Sequence, residues 1–295
     1  KKPKPKVADD FQFAGAYVAD PQKGKHDWVF DLDVTSMYPS VIMSLNISPE
    51  TKLGKLTEWE PQDFIREVEK TYVIQDDYEN EVASMSYSDF KQYVTENKIS
   101  ISANGVLYRN DKAGLIPAIL SKWFDERVEY RKLAKKYGND GNTERYEYFD
   151  RRQLIQKIML NSLYGVLGLS VFRFYDIDNA EATTLTGQSL IKFSRTITNH
   201  FYNEQLGTDE DYVIYIDTDS IFASALPLVK HRYPKENVNS KPMMTKRILS
   251  IASELQEYLN NSYDYFAQKF CNINEHKFEI KQEVIGISGL FIAKK

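Results

Sequence analysis

The run YIDTDSIF, residues 215–222, sets two aspartates one residue apart among apolar and aromatic neighbours. On a strand, residues i and i+2 share a face, so Asp217 and Asp219 are expected to point the same way. Two buried like charges are costly unless something positive sits between or beside them. Carboxylates without His or Cys select a hard cation, which points to Mg²⁺, an ion that keeps waters and shares its shell with phosphate oxygens. A D-x-D by itself is weak, because acidic turns are common. A solvated turn, however, would not need Tyr215, Ile216, Ile221 and Phe222 around it.

Two further stretches carry chemistry. DWVFDLDV (27–34) alternates with the period of a strand, with Trp28, Phe30, Leu32 and Val34 on one face and Val29, Asp31 and Asp33 on the other. Ser36, Met37, Tyr38, Pro39 and Ser40 then open a helix whose start offers backbone amides to phosphate oxygens. Alone, Asp33 would read as a surface aspartate capping a turn. In the second stretch, Lys157, Asn161 and Tyr164 stand at i, i+4 and i+7 of a helix with Gly165 beside them, a cation, an amide and an aromatic edge suited to a nucleotide. Arg127 and Arg131 are likewise i, i+4; alone they would read as a solvated basic face.

The elements that must position these groups follow from periodicity and punctuation. A basic amphipathic helix is predicted from Pro117 to Tyr137, broken by GNDGN, and a second from Thr143 to Leu167, ending at Gly168. Joined by so short a loop, they make an antiparallel hairpin. VFRFYDI reads as a strand, 180–203 as a helix, and 212–216 with 219–224 as strands meeting at a tight turn. A helix near 243–270 and strands within 276–293 complete the chain. Residues 57–100 read as an irregular acidic insertion with some helix, and turn signals at Asn104-Gly105 and at 112–114 suggest a small hairpin. KKPKPKVADD at the start reads as a linker or fragment edge.

At 295 residues and 42% hydrophobic content the chain can fill a real core, and 20 Tyr and 16 Phe exclude disorder by composition. No apolar run approaches the ~18–20 residues of a membrane span, and no secretory apolar segment follows the N-terminus. One cysteine, Cys271, rules out an internal disulfide or a multi-Cys zinc site, and four scattered histidines offer no ligand spacing. Net charge is −4, but residues 51–96 carry 5 Lys/Arg against 11 Asp/Glu while 112–173 carry 12 against 7. Such asymmetry suits a protein that meets a polyanion with one part only.

Taken together, DVTSMYPSVI, KIMLNSLYG and YIDTDS resemble motifs A, B and C of family B DNA polymerases, in the family's order. FAGAYVADP is similar to the Y-x-G-[GA] segment that links the exonuclease and polymerase halves, with Phe13 in place of the usual Tyr. NISPETK, SANGVLYRNDKAGLIPAIL and VFRFYDIDNAEATTLTGQ resemble the T-even phage branch, and the terminal AKK matches the start of the K-K-R-Y motif. The resemblance covers nearly the whole chain. It implies an α+β fold: a palm with an antiparallel sheet flanked by helices, plus an antiparallel two-helix fingers domain. Residues 1–112 would be the N-terminal part of the palm with the acidic insertion at about 51–100, 113–169 the fingers, and 170–295 the C-terminal part of the palm. The exonuclease and thumb are expected to be absent, removed or on other chains. Asp77-Tyr78-Glu79 satisfies the exonuclease D-x-E only by letter.

The implied reaction is DNA-templated transfer of a dNTP to a primer 3′-hydroxyl, with two Mg²⁺ (or Mn²⁺) ions roughly 3.5–4 Å apart. Carried over by position, Asp33 and Asp219 would bridge both metals, the Val34 carbonyl would assist, and Asp217 would support them. Backbone amides near Ser36, Met37 and Tyr38 would cradle the triphosphate, and the Tyr38 ring would exclude a 2′-hydroxyl. Arg127, Arg131 and Lys157 would grip the β- and γ-phosphates as the fingers close, with Arg131 where close relatives have Lys. Asn161 would hold the incoming nucleotide, and Tyr164 with Gly165 would pack under the nascent base pair. Thr218, Phe13, Gly15, Lys294 and Lys295 would lie by the DNA, and Glu279 and Glu283 are candidates for additional carboxylates.

Strand geometry then separates the aspartates. Residues i and i+2 lie ~6.6–6.8 Å apart at Cα on an extended strand, whereas directly opposed antiparallel residues approach within ~4.5–5.5 Å. Asp33 is therefore expected directly across from Asp219. Expected partners are primer–template DNA and dNTP, a sliding clamp in the full polymerase, and no membrane, with replication in the cytoplasm of an infected bacterial host as the setting. The alternative is a catalytically silent DNA-binding or assembly module of a split or truncated polymerase. An RNA-templated palm is disfavoured by D-T-D-S and by the Lys157–Tyr164 helix.

Overall fold

The computed structural model of the protein describes residues 15–294. The elements run β1 (Gly24–Val34), α1 (Met37–Leu45), β2 (Lys52–Leu56), α2 (Pro61–Ile65), β3 (Tyr72–Gln75), β4 (Glu81–Met85), α3 (Tyr87–Glu96), β5 (Ile99–Ile101), β6 (Val106–Arg109), α4 (Leu115–Asn139), α5 (Thr143–Leu167), α6 (Ile177–Leu206), β7 (Val213–Asp217), β8 (Ser220–Ser224), α7 (Leu226–Arg232), α8 (Lys241–Cys271), β9 (Ile280–Lys281) and β10 (Ile285–Phe291). The fold is mixed α+β, with two antiparallel sheets flanked by helices. Contacts divide the described residues into two compact units.

One unit comprises Gly15–Met37, Thr186–Gln268 and residues 278–294. Its sheet has the order β10-β1-β8-β7, with β9 also paired to β1 and every pairing antiparallel. β1 begins three residues before the predicted stretch, and Phe30, Leu32 and Val34 are at most 1% exposed. Residues ahead of β1 run along β7, where Ala19 N–H donates to Ile216 O at 3.1 Å and Thr218 N–H to Tyr17 O at 2.9 Å. Helices α6 and α8 are fastened to one another by the Ser194–Tyr263 hydroxyl pair at 2.8 Å. Tyr202 Oη donates to Ser224 O at 2.9 Å, and Asn260 exchanges two hydrogen bonds with the Ile280 backbone, so the two helices brace β8 and β9, both of which pair with the β1 strand that carries Asp33.

The other unit comprises Tyr38–Leu185 with Lys269–Lys277. Its sheet has the order β4-β3-β2-β6-β5. Residues 57–100 are thus regular, not irregular, with the expected helix present as α2 and α3 and strands β3 and β4 beside it. Tyr72 and Ile74 alternate inward from β3 and pack with Phe64, Tyr87, Phe90, Val94 and Leu107, and Tyr72 stacks on Phe90 at 4.8 Å. The acidic residues crowd the turns and the exposed edge, masking a strand period carried by few apolar positions. Asp77 and Glu79 occupy the β3–β4 turn, with Asp77 2.6 Å from Lys52 Nζ, so the D-x-E there is a turn.

VFRFYDI is also not a strand. Phe172 N–H donates to Leu169 O and Tyr175 N–H to Phe172 O, both at 2.9 Å, winding the segment into successive turns before α6. Asp176 and Asp178 at the start of α6 lie 3.6 and 2.7 Å from the buried Lys52 ammonium. Acidic groups at a helix start favour the macrodipole, and this anchorage overrides the β propensity of the aromatics.

The predicted two-helix hairpin is present as α4 and α5. Gly141 turns the chain at φ +71°, and the Asn142 side chain caps α5 by accepting Arg145 N–H at 3.1 Å. Tyr137 stacks on Phe149 at 5.6 Å, and Gln156 hydrogen-bonds Glu126, which fixes an antiparallel register.

Candidate active site

The aspartate hairpin differs from two residues on one strand. β7 ends at Asp217 and β8 begins at Ser220, leaving Thr218 and Asp219 as the turn. Thr218 has φ +59°, and Asp219 N–H donates to Asp217 O at 2.7 Å. The tight turn leaves only Asp217 in the ladder, where it pairs with Ser220.

On the other side of β8, Ser220 pairs with Asp33, and Asp33 pairs in turn with Lys281 of β9. A row Asp217, Ser220, Asp33, Lys281 therefore crosses four strands. The expected direct opposition of Asp33 and Asp219 is off by one residue. Asp219 is instead fixed by its backbone, its carbonyl accepting Val34 N–H at 2.9 Å. Ser220 Oγ donates to Asp33 Oδ2 at 2.7 Å.

Burial is the main force on these carboxyls. It pushes Asp33 up to about 6, against the Ser220 hydrogen bond, with the charges of Asp219, Glu283 and Asp31 adding to the rise. Asp219 is raised by burial too, with Asp217 and Glu283 contributing. The two candidate glutamates separate here. Glu283 acts on both aspartates, whereas Glu279 receives Lys281 Nζ at 2.6 Å and gives its backbone carbonyl to Thr35 N–H.

Among the described residues, no three His, Cys, Asp or Glu side chains form a group that could hold a metal ion by themselves. The donor set nevertheless fits a hard divalent cation. Half-buried carboxylates that resist ionisation gain most from a cation that offsets their mutual repulsion. An all-oxygen site with few protein ligands suits Mg²⁺, which completes its shell with water and phosphate.

In the unit that contains α4 and α5, Lys157 and Asn161 are exposed on one side of α5, and Tyr164 is half-buried. Tyr164 stacks on Tyr38 with centroids 4.2 Å apart and planes at 28°. Burial raises the Tyr164 phenol to about 12, so it stays protonated. The Gln156–Glu126 bond puts the neighbouring Lys157 and Arg127 at one level of the hairpin, with Arg131 a turn nearer its tip.

The model of DNA polymerase family B matches residues 2–232. The chain belongs to DNA polymerase family B. It is 28% identical over 262 residues to the DNA-directed DNA polymerase of Escherichia phage RB69, a match covering 72% of this chain and 26% of that one. It is 27% identical to that of Enterobacteria phage T4, covering 96% and 35%, and 26% identical to DNA polymerase 1 of Pyrococcus abyssi, covering 92% and 28%. The chain thus spans about a quarter to a third of the length of these polymerases, which come from phages and from an archaeon.

The remaining expected positions of this family B chain sit on several elements. Val34 ends β1, and Ser36, at φ +48°, turns the backbone into α1, which opens at Met37. Gly15 O accepts Gln188 Nε2 at 2.7 Å, and Lys294 is exposed. Gly165 lies on the exposed side of α5. Phe13 and Lys295 lie outside the described residues. Two polar residues at the carboxylate centre were not among the sequence candidates: Ser220 and Asp31. Ser220 adjoins D-x-D and had a visible signal in that position. Asp31 repeats the D-x-D spacing with Asp33, but only the fold shows what its carboxylate holds. Among the described residues, no helix is long and apolar enough to cross a membrane.

Proposed function

We propose that this chain is the nucleotidyl-transfer core of a DNA-templated DNA polymerase, adding dNTPs to a primer 3′-hydroxyl. The observation that carries the reading is the cross-strand placement of Asp33, Ser220 and Asp217 beside Asp219 in a chain of family B. Residues 1–112 and 170–295 are assigned to the palm and 113–169 to the fingers. The quoted segments similar to T-even phage polymerases suggest a phage replicative enzyme. Cytoplasmic replication in an infected bacterium is the setting proposed for it.

Asp33 and Asp219 would hold the divalent cations, assisted by the Val34 carbonyl, with Asp217 in support and Glu283 as the further carboxylate favoured over Glu279. Bound Mg²⁺ would lower the proton affinity of the primer hydroxyl and neutralise charge on the leaving oxygens. The chain's own residues do the rest. Ser220 orients the Asp33 carboxylate, and the turn at Thr218 aims Asp219. Arg127, Arg131 and Lys157 offer charge-assisted hydrogen bonds to phosphates, amides of Ser36, Met37 and Tyr38 receive phosphate oxygens, and Asn161 holds the nucleotide. Tyr38, stacked on Tyr164, is assigned to sugar discrimination, and Tyr164 with Gly165 to the nascent base pair. Gly15, Thr218, Phe13, Lys294 and Lys295 are assigned to DNA.

Primer extension by this chain with Mg²⁺ tests the proposal, alone and with fragments supplying exonuclease and thumb portions, against Asp219→Ala. Extension that depends on Asp219 is the expected result. Extension surviving Asp219→Ala removes the metal assignment, and none even after complementation favours a silent DNA-binding module.

A further inference from the structure

Asp31 lies two residues before Asp33 on β1 and is only 7% exposed. A buried carboxylate needs hydrogen-bond donors to offset its lost hydration. Here they are backbone amides: Asp31 Oδ1 accepts Val284 N–H at 2.6 Å and Glu283 N–H at 3.2 Å. The Asp31 amide completes the clamp by donating to Val284 O at 3.2 Å. The clamped residues form the connection between β9 and β10, where the regular ladder to β1 is interrupted.

The same connection carries Glu283, exposed and only two residues beyond the Lys281 that pairs with Asp33, and its charge acts on both Asp33 and Asp219. An exposed glutamate on a loose loop would spread over many rotamers and many backbone positions. Fixing its backbone removes the backbone share of that freedom. Asp31 therefore matters chiefly as a hydrogen-bond acceptor.

We propose that Asp31 is a positioning residue: by accepting the amides of Glu283 and Val284, it fixes Glu283 as a third carboxylate acting with Asp33 and Asp219 on a divalent cation. This rests on the polymerase reading of the carboxylate centre. An apolar residue at position 31 would leave two amides without their acceptor and release the connection. Asparagine keeps the acceptor oxygen and loses the charge, so it separates the two roles.

The test uses this chain with Mn²⁺ as probe, free Mn²⁺ being read by electron paramagnetic resonance, and amide hydrogen exchange across residues 278–291. Glu283→Gln is expected to weaken Mn²⁺ binding severalfold with exchange unchanged. Asp31→Asn should bind Mn²⁺ within about twofold of the unmodified chain, since its acceptor is retained. Asp31→Ala should speed exchange at Glu283 and Val284 by about tenfold or more and weaken Mn²⁺ binding as Glu283→Gln does. The double variant should be no worse than Glu283→Gln alone, because both remove one interaction.

Unchanged Mn²⁺ binding in Glu283→Gln would overturn the proposal. So would Asp31→Asn as damaging as Glu283→Gln, or losses that add in the double variant. Unchanged exchange at Glu283 and Val284 in Asp31→Ala would overturn it as well, and if that variant fails to fold, Asp31→Ser, whose hydroxyl falls one bond short of the two amides, takes its place in the same measurements. The polymerase reading is judged separately by Asp219-dependent primer extension, whatever the Mn²⁺ and exchange measurements give for Asp31.

Discussion

Ser220 and Asp33 face each other across β1 and β8, and the Ser220 hydroxyl donates to the Asp33 carboxylate at 2.7 Å. This bond favours the Asp33 carboxylate against burial and three neighbouring carboxylates. A hydrogen bond to a charged group contributes ~1.5–3 kcal/mol, so Ser220→Ala should lower primer extension roughly ten- to a hundredfold. The Mg²⁺ concentration for half-maximal rate should rise with it. Ser220→Thr keeps the hydroxyl on a strand position and should recover most of the loss.

Asp33 also sets a pH dependence whose sign is opposite to that of a salt-bridged aspartate. Its proton affinity rises from 3.8 to about 6 on folding. Between those values the folded chain holds more protons than the unfolded one, so stability falls as pH rises through that window. Without divalent metal, Asp33→Asn should therefore raise the melting temperature at pH 8 and leave it nearly unchanged at pH 4. Added Mg²⁺ binds the ionised form and should stabilise the unmodified chain more at pH 8 than at pH 5. Thermal melts at the two pH values, with and without Mg²⁺, check both statements.

Asp217 and Asp219 should respond unequally. Asp219 sits in the turn, its carbonyl tied to Val34 N–H, while Asp217 is the last residue of β7. Asp219→Ala is expected to abolish extension and Asp217→Ala to leave a measurable rate. Equal losses would show the two acting as one unit.

The Tyr38–Tyr164 stack gives a prediction about sugar choice. Aromatic pairs contribute ~0.5–1.5 kcal/mol beyond their burial, so either ring should fix the other's orientation. Tyr38→Ala should raise ribonucleotide incorporation, whereas Tyr38→Phe keeps the ring and should retain discrimination. Tyr164→Ala should shift the same ratio by loosening Tyr38. Competition between labelled ribo- and deoxynucleotides reads the result.

Lys157 and Arg127 stand level on the helical hairpin, one residue from the Gln156–Glu126 bond. Losing one charge-assisted contact of ~1.5–3 kcal/mol to a phosphate should raise the KM for dNTP by roughly ten- to a hundredfold in Lys157→Ala. Arg127→Ala should act in the same direction. Arg131, one turn further along, should have the smaller effect. Steady-state kinetics at saturating primer–template separates KM from kcat.

Local pattern was enough for much of this molecule. The α4–α5 hairpin, the β7–β8 turn and the long helices α6 and α8 could be read from apolar period and from Gly/Asn punctuation, because each is a contact between residues near in sequence. The three motifs with their acidic and basic residues were legible for the same reason. The sheet from β2 to β6 was not, since its strands are short and its acidic turns conceal the alternation. Nor was the turn structure of residues 171–176, where anchorage of Asp176 and Asp178 on Lys52, more than a hundred residues away, outweighs aromatic β propensity.

The sequence by itself determined which chemical groups the chain offers: aspartates at D-x-D spacing, hard oxygen donors, and a helix bearing Lys157, Asn161 and Tyr164. Only the tertiary structure decided how the aspartates meet their partners. Register is a non-local property, and a shift of one residue exchanges the partner of Asp33 from Asp219 to Ser220. Likewise, no local pattern could show that Asp31 accepts amides from residues about 250 positions later, since that bond exists only once β10 has docked on β1.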